Sequence, residues 1–473
     1  MKAEIVSCPL TVVGAGPAGI RAAATAATAG VRVIVVDENP SPGGQYYRQS
    51  PPEFDIPDRA AAHSGHPEAS ALYDQLDHPN IQVLQNVRVW GVFDGHTLAL
   101  TDEERTFLLD TDRVVLATGA YDRPLAFPGW TLPGVFGVAA VLRLIKSQWI
   151  LPGQRFLLAG LGPLQLVLAD FLLKSGAEVV CVAEAADPLQ GWRHLPGLWG
   201  HWDRLREAYE YRRTLSRNKV PLLFNHVITS ASGEECVAVA EIARIDRDGV
   251  PIPETKRSFD VDAVCLGYGL LPAYQLAAAF GCSLRFDENL RWFVPRHDEQ
   301  METSVPGIFV AGDVTDMGGA HVAAAEGQVA GLVAAFQLGY LEETEFQGRM
   351  AQARPVLRRL NRLAESLQGI YKFRPGLAHL TRDDTVLCRC EEVRSQAVKT
   401  VISAGAVDLH QVKLRSRAGM GYCQGRTCSS LVAPLIAAQT GQALGELYPC
   451  TARPPLQPIP LGALAGSRSS HSK

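Results

Sequence analysis

An excess of charge of either sign is missing. The 473 residues carry 45 basic against 49 acidic side chains, a net charge of -4, which leaves no electrostatic footprint for a nucleic-acid backbone. Long apolar runs are missing as well. No stretch of about 18 residues lacks a charge or a strong breaker, so no membrane span is expected. Cysteine is scarce, with ten unevenly placed residues, which excludes a secreted disulfide scaffold. The stretch from Leu10 to Ala29 is apolar and small, yet Glu4 precedes it, Arg21 interrupts it and Gly14, Gly16 and Gly19 carry another pattern. It is not read as an export signal, and a protein of a reducing cytoplasm is expected. No Ser-His-Asp set or carboxylate pair falls on one shared site, so no catalytic residue is assigned. His321 reads as a packed or capping residue rather than a base.

What is present is globular and turn-rich. Hydrophobic residues make up 47% and charged ones 20%, with 43 glycines and 30 prolines, and the length suggests about three domains. Leu10–Val13, the turn Gly14-Ala15-Gly16-Pro17-Ala18-Gly19, an alanine-rich segment to Ala29 and Val31–Val36 read as strand, glycine turn, helix and strand. That is one βαβ unit. A second follows with a strand over 155–159, the turn Gly160-Leu161-Gly162-Pro163, a helix over 164–174 and a strand over 178–183. Later apolar runs, 114–120, 261–268 and 307–314, each end in glycine or a small residue. They look like parallel strands whose carboxyl ends face a cofactor.

Each part of the first turn has a mechanical task. Gly14 permits the tight turn, Gly16 lets backbone approach a pyrophosphate, and Gly19 lets helix and strand pack closely. The helix N-terminus adds unpaired N–H groups and partial positive charge. Asp37 ends the next strand, where a carboxylate can accept ribose hydroxyls. Gly43-Gly44-Gln45 follow it, Ala117-Thr118-Gly119 end a middle strand, and Gly312-Asp313 end a late one before a helix starting near Gly318. In this order the chain resembles the two-dinucleotide-binding-domain flavoproteins of the thioredoxin reductase-like and glutathione reductase-like group, over about residues 5 to 340. The resemblance implies an α/β fold and FAD held by Gly14, Gly16, Gly19, Asp37, Gly44, Gln45, Thr118, Gly119 and Asp313. Pro17, Ala18, Glu38, Ala117 and Gly312 accompany them, and Val89 is a candidate adenine contact.

The second unit departs from the fingerprint. Gln165 stands where the third glycine belongs, and the acid Glu184 comes one residue late. A bulky Gln165 is expected to hinder helix-to-strand packing and narrow the pyrophosphate slot. No basic residue lies in 179–184 to take a 2′-phosphate. A vestigial unit or a site for another nucleotide are the alternatives to nicotinamide binding. The close cysteine pair of the thiol-disulfide reductases is absent too, since Cys8, Cys181, Cys236, Cys265 and Cys282 stand alone, each expected to be a small buried hydrophobe.

Four of the remaining five cysteines fall close together, as Cys388-x-Cys390 and Cys423-x4-Cys428. Two close pairs suit a [2Fe-2S] centre, which needs two thiolates on each of two irons. Zinc remains a weaker alternative, because the first pair is too short for its usual spacing. Arg389, Arg417 and Arg426 offer positive charge to the thiolates, and Gly419, Gly421 and Gly425 offer backbone N–H groups. The stretch from Thr385 to Leu435 resembles the small helical bacterioferritin-associated-ferredoxin-like (BFD-like) [2Fe-2S] domain. Between Phe346 and Arg374, basic residues flank a leucine stripe, Leu357, Leu360, Leu363, Leu367, and this reads as an amphipathic helix linking two domains. Either it packs its stripe on its own domain, or it docks a partner or a cofactor phosphate.

Taken over nearly the whole chain, these motifs, with Gly267–Pro272 (GYGLLP) and Cys388–Val393 (CRCEEV), resemble the flavin- and iron-sulfur-containing subunits of heteromeric amine dehydrogenases. That family includes the B subunit of hydrogen cyanide synthase, the A subunit of opine oxidase and the alpha subunit of hydroxyproline or proline dehydrogenase. It implies that a catalytic FAD-containing beta subunit oxidises the amine and this chain relays electrons to an acceptor such as a quinone. It also implies FMN at a subunit interface, a small ferredoxin-like subunit, and membrane association only through the complex. The expected domains are an FAD-binding domain in two parts (1–128 and 266–345), an inserted second dinucleotide-binding-like domain (129–265), a basic linker helix (346–376), a [2Fe-2S] domain (377–450) and a disordered tail (451–473).

Overall fold

The computed structural model describes residues 5–51, 53–54, 68–93, 95–187 and 191–465. Strand β1 (Ile5–Val13) buries Leu10 and Val12 completely. Helix α1 (Pro17–Thr28) starts on Pro17, where a missing N–H costs nothing and the ring presets φ. Strand β2 (Val33–Val36) lies parallel to β1, with Leu10 opposite Val33. The rest of the sheet comes from β3 (Ile81–Leu84), β4 (Arg88–Phe93), β5 (Thr97–Thr101) and β6 (Thr106–Leu116), in the order β3-β2-β1-β6-β5-β4.

The chain then leaves for a second, parallel sheet. It holds β7 (Val135–Gly137), β8 (Arg155–Gly160), β9 (Glu178–Glu184), β10 (Leu222–Phe224) and β11 (Ala263–Gly267), ordered β10-β9-β8-β11-β7. Helix α2 (Leu164–Lys174) connects β8 to β9 and buries Leu168, Ala169 and Leu172. Helix α3 (Trp202–Arg217) follows β9 in the chain and buries only Leu215. Outgoing Ala120–Asp122 and returning Leu270–Pro272 pair antiparallel, so the two connections between the units form one ribbon.

On its return the chain adds Ile308–Val310 beside the carboxyl half of β6, parallel to Val114–Leu116. Helix α4 (Ala320–Gln337) then lies against α1. Their backbones touch: a Cβ on Gly327 would run into the Ala18 carbonyl, and one on Gly331 into that of Ala22. Helix α5 (Glu343–Ile370) is the expected basic helix. It continues through Pro355, and Phe346 stacks on Phe336 of α4 with ring centroids 4.3 Å apart.

The C-terminal region is small and helical, with a hairpin (Val386–Cys388 and Val393–Arg394), helices over Ser395–Ser403 and Leu409–Ser416, and α6 (Ser429–Thr440). Trp130 joins it to the rest, its indole N–H donating to the Val386 carbonyl at 2.6 Å. The segment after 450 differs from expectation. Residues 451–465 are not a free tail, because Leu456 is buried against the first sheet and its N–H donates to the Trp90 carbonyl at 2.7 Å. Ala463 is buried as well, and the Thr106 hydroxyl donates to its carbonyl. A few apolar anchors outweigh the proline-rich composition there.

Candidate functional site

The first glycine turn lies at the carboxyl ends of β1 and β6. Gly14 has φ +106°, and a Cβ there would collide with the Ala117 carbonyl, so only glycine fits. Gly19 sits beneath the turn, its Cα facing the Gly14 carbonyl, and is packed rather than exposed to any ligand. Gly16 differs from both. Its φ is -78°, and the nearest atom to a Cβ would be Gly44 Cα at 3.8 Å. The slot between Gly16 and Gly44 is bare backbone, held by the Gly43 N–H donating to the Ala15 carbonyl at 2.7 Å. This is the form a pyrophosphate requires at a helix N-terminus.

Asp37 is nearly buried at 6% exposure. Its Oδ2 accepts from the Ala15 N–H at 2.5 Å and its Oδ1 from the Asn39 N–H at 2.7 Å. The carboxylate is thereby fixed in orientation, with lone pairs left for ribose hydroxyls. Glu38 beside it is half-exposed and 3.7 Å from Arg88. Val89, Pro17, Ala18 and Gln45 line the same groove, as do Ala117, Thr118 and Gly119. The Thr118 hydroxyl is turned away, donating to the Ala273 carbonyl at 2.9 Å.

Gly312 and Asp313 close the far end. Asp313 Oδ1 accepts from the Gly319 N–H at 3.3 Å, at the head of α4, and burial pushes its carboxyl up to about 6. Beneath it Glu326 accepts from the Gly312 N–H at 2.7 Å and the Thr315 hydroxyl at 3.0 Å. Burial, with Asp313 and Asp316 adding to it, pushes Glu326 up to about 8. No motif marks Glu326, because its role depends on where α4 packs. The folded state holds this proton more tightly than the unfolded chain, so the stability it contributes is complete at low pH. It is lost as pH rises from the ordinary carboxylate value through about 8. Glu326→Gln should therefore stabilise the apoprotein at pH 9 relative to wild type by up to roughly 5 kcal/mol while changing it by under about 1 kcal/mol at pH 5. Melting curves across that range check this. His321, at the exposed second position of α4, lines the same cavity.

The groove opens into a cavity of about 1920 Å3, beyond the ~300–1,000 Å3 of an ordinary ligand pocket. The extra space lies towards the second unit, bordered by α2, α3 and the leucine stripe of α5, including Leu360, Leu363 and Leu367. Sequence reasoning missed Lys146 on this wall. Its amine donates to the Tyr46 carbonyl at 3.1 Å and lies 5.1 Å from the Phe171 ring centroid. Burial, with Arg48 adding to it, pushes it down to about 8.

Gln165 acts differently from the expectation. It is fully buried and α2 packs normally, so it does not hold helix and strand apart. Instead its Nε2 donates to Glu184 Oε2 at 2.6 Å, while the same carboxylate accepts from the Gly162 and Ala186 N–H groups. The acid that would take a ribose is engaged from within. Burial pushes Glu184 up to about 7. Tyr371, just past α5, lies over the glycine turn, 3.7 Å from where a Gly162 Cβ would sit. Among the lone cysteines Cys8, Cys181, Cys265 and Cys282 are buried, but Cys236 is exposed in the loop between Ser232 and Val239.

The C-terminal cysteines meet, though not in their sequence pairs. Cys388 hydrogen-bonds with Cys428, and Cys390 with Cys423. The hairpin and the glycine loop approach side by side, and a Cβ on Gly421 would run into the Cys390 Cβ. That face-to-face contact exchanges the partners. The bond with Cys428 and the N–H groups of Gly419, Glu391 and Cys390 hold the Cys388 thiol well below its usual range, while the same bond and burial push Cys428 up. Two sulfurs per pair, with N–H groups aimed at them, fit the ligand set of a two-iron centre. Among the described residues no group of three or more His, Cys, Asp or Glu side chains is already set to hold a metal ion, although Cys388, Cys390 and Cys423 all act on Cys428. Each of the three arginines nearby has a partner of its own. Arg417 pairs with Glu391 at 2.8 Å, Arg389 lies over the Trp130 ring at 5.2 Å, and Arg426 donates to the Leu456 carbonyl at 3.1 Å.

Comparison with known proteins places these sites in context. Residues 9–328 match the pyridine nucleotide-disulphide oxidoreductase family, and residues 384–468 match the sarcosine oxidase A3 domain, which continues through the supposed tail. The A subunit of an opine oxidase from Rhizobium meliloti is 33% identical, over 96% of this chain and 97% of its own. Hydrogen cyanide synthase subunit HcnB from Pseudomonas aeruginosa is 31% identical, over 96% of this chain and 97% of its own. Among solved structures, L-proline dehydrogenase from P. horikoshii superposes with a TM-score of 0.69 at 21% identity, over 98% of this chain and 80% of that one.

Proposed function

Since the chain belongs to the pyridine nucleotide-disulphide oxidoreductase family, and to the group that includes the A subunit of opine oxidase and hydrogen cyanide synthase subunit HcnB, we propose that it relays electrons. The donor is an amine or amino acid of the glycine, opine or proline type, oxidised at its CH–NH or CH–NH2 bond by an FAD-containing catalytic partner subunit. This chain passes the electrons through FAD and a [2Fe-2S] centre to an acceptor such as a quinone. The observation that carries the reading is the meeting of four cysteines beside a flavin-shaped groove that has no dithiol of its own.

FAD would supply two-electron chemistry and the cluster one-electron transfer. The chain's residues do the holding. The Gly16–Gly44 slot and the head of α1 take the pyrophosphate, Asp37 takes the adenosine ribose, and Asp313 with the head of α4 takes the ribityl end. Cys388, Cys390, Cys423 and Cys428 would hold the irons. The remaining cavity, with the Lys146 amine on its wall, has room for the FMN. No helix among the described residues is long and apolar enough to cross a membrane, and contact with a membrane acceptor would come through the complex, including any small ferredoxin-like subunit.

The hold of Gln165 on Glu184 and the position of Tyr371 over Gly162 support this reading over a self-sufficient nicotinamide-dependent reductase. In stopped-flow mixing under anaerobic conditions, neither NADH nor NADPH should bleach the flavin at a catalytic rate, and Gln165→Gly alone should not change this. Rapid bleaching by either nucleotide would contradict it. The positive test is purification of the assembled complex from its native source, with the partner identified. Glycine, proline, hydroxyproline and opines are then offered in turn. One of them should reduce the flavin of this chain only when the partner is present. Reduction of the isolated chain by such a substrate would sink the relay assignment.

A further inference from the structure

Resting on the reading above, we propose that Arg426, with the buried Arg123 and the phenol of Tyr121 beside it, is the electrostatic junction between the flavin cavity and the cysteine loop. The loop itself reaches the cavity wall. Arg426 lines the cavity, yet it sits three residues after Cys423 and two before Cys428. Three residues span at most about 11 Å, so the sulfur-bearing loop and the flavin cavity share one thin wall.

The other side of the wall is built from the flavin domain. Tyr121 follows Ala117–Ala120 directly and also lines the cavity, and its buried phenol feels the charges of Arg426, Arg123 and Cys423. Arg123 is only 7% exposed. Its guanidinium donates to the Leu290 carbonyl and lies 4.9 Å from the Phe373 ring centroid. Among the described residues no carboxylate pairs with Arg123 or with Arg426. A buried guanidinium without an acid is costly, and its retention beside two redox sites calls for a purpose.

Positive charge that no acid cancels favours the reduced, more negative form of whatever it faces, because net charge near a cluster sets its potential. Arg426 is thus a positioning residue. Its hydrogen bond to Leu456 O fastens the cysteine loop to the segment anchored on the first sheet, and its charge serves the cluster and the flavin together.

The test is spectroelectrochemical titration of the whole chain with its flavin and iron in place. Arg426→Leu should shift the midpoint potential of the cluster to more negative values by about tenfold in its equilibrium constant, which is 59 mV for one electron. The flavin potential should move in the same direction, and Arg426→Lys should restore both. Unchanged potentials in Arg426→Leu with both cofactors bound would overturn the proposal. Should that variant fail to retain iron, Arg426→Gln decides, since it can keep the bond to Leu456 while removing only charge. Loss of iron from the glutamine variant as well, with retention in Arg426→Lys, would support a role for the charge. Loss in all three would make the residue purely structural and overturn it. A wild-type chain without iron or without flavin contradicts the relay reading itself, and this is seen before any variant is made.

Discussion

Gly16→Val protein should fold normally and yet emerge without flavin colour. The two halves of this result separate the site from the fold. A side chain at Gly16 meets nothing closer than Gly44 Cα at 3.8 Å and needs no positive φ, so the melting temperature of the apoprotein should stay near that of wild-type apoprotein. The space it fills is the slot argued to hold a pyrophosphate, and a branched side chain there should lower flavin content by about tenfold or more. Gly19→Val is the contrast. A Cβ at that position would strike the Gly14 carbonyl, so this variant should be insoluble or grossly destabilised. Asp313→Ala should fall between them, folding well and holding flavin more weakly. Normal flavin occupancy in Gly16→Val protein would contradict the assignment of the groove.

Cys423→Ser should lose the visible absorption of the cluster and its reduced-state paramagnetic signal while keeping FAD. Removing one thiolate leaves one iron without a full set of ligands, whereas the residues argued to hold FAD, from Gly14 to Asp313, include none of the four cysteines. The observed pairing sharpens the expectation. Because Cys423 stands with Cys390 and not with Cys428, Cys390→Ser should resemble Cys423→Ser more than Cys428→Ser does. The latter also removes the bond that holds Cys388 low, and takes away a buried side chain at the head of α6. Gly421→Ala leaves all four thiols in place, yet its Cβ would displace Cys390. Iron content in that variant should fall as well, and full retention would show that the glycine loop does not set the spacing. In the assembled complex, substrate should still reduce the partner's flavin in Cys423→Ser while turnover to the acceptor falls.

Much of the flavin groove was legible because its parts are local. Gly14, Gly16 and Gly19 sit within one turn, and Asp37 follows at the end of the next strand, so a short window carries the geometry. Elsewhere the meaning depended on what packs against a residue. Gln165 reads as an obstacle in the glycine pattern, but only the approach of β9 shows that its amide takes the Glu184 carboxylate. Tyr371 lies far in sequence from the Gly162 turn it covers, and Lys146 belongs to no motif. The contact of Cys388 with Cys428 is hidden from sequence for a similar reason, since it depends on two loops distant in sequence facing each other. Composition misled at 451–465, where proline hid the anchoring of Leu456 and Ala463 on the first sheet.

One chain should carry both a flavin and a two-iron centre. Anaerobically purified wild-type protein should be analysed for flavin, iron, zinc and acid-labile sulfide per chain. FAD together with about two irons and about two sulfides is the expected result. Zinc in their place, or protein with no metal and no sulfide, would contradict it.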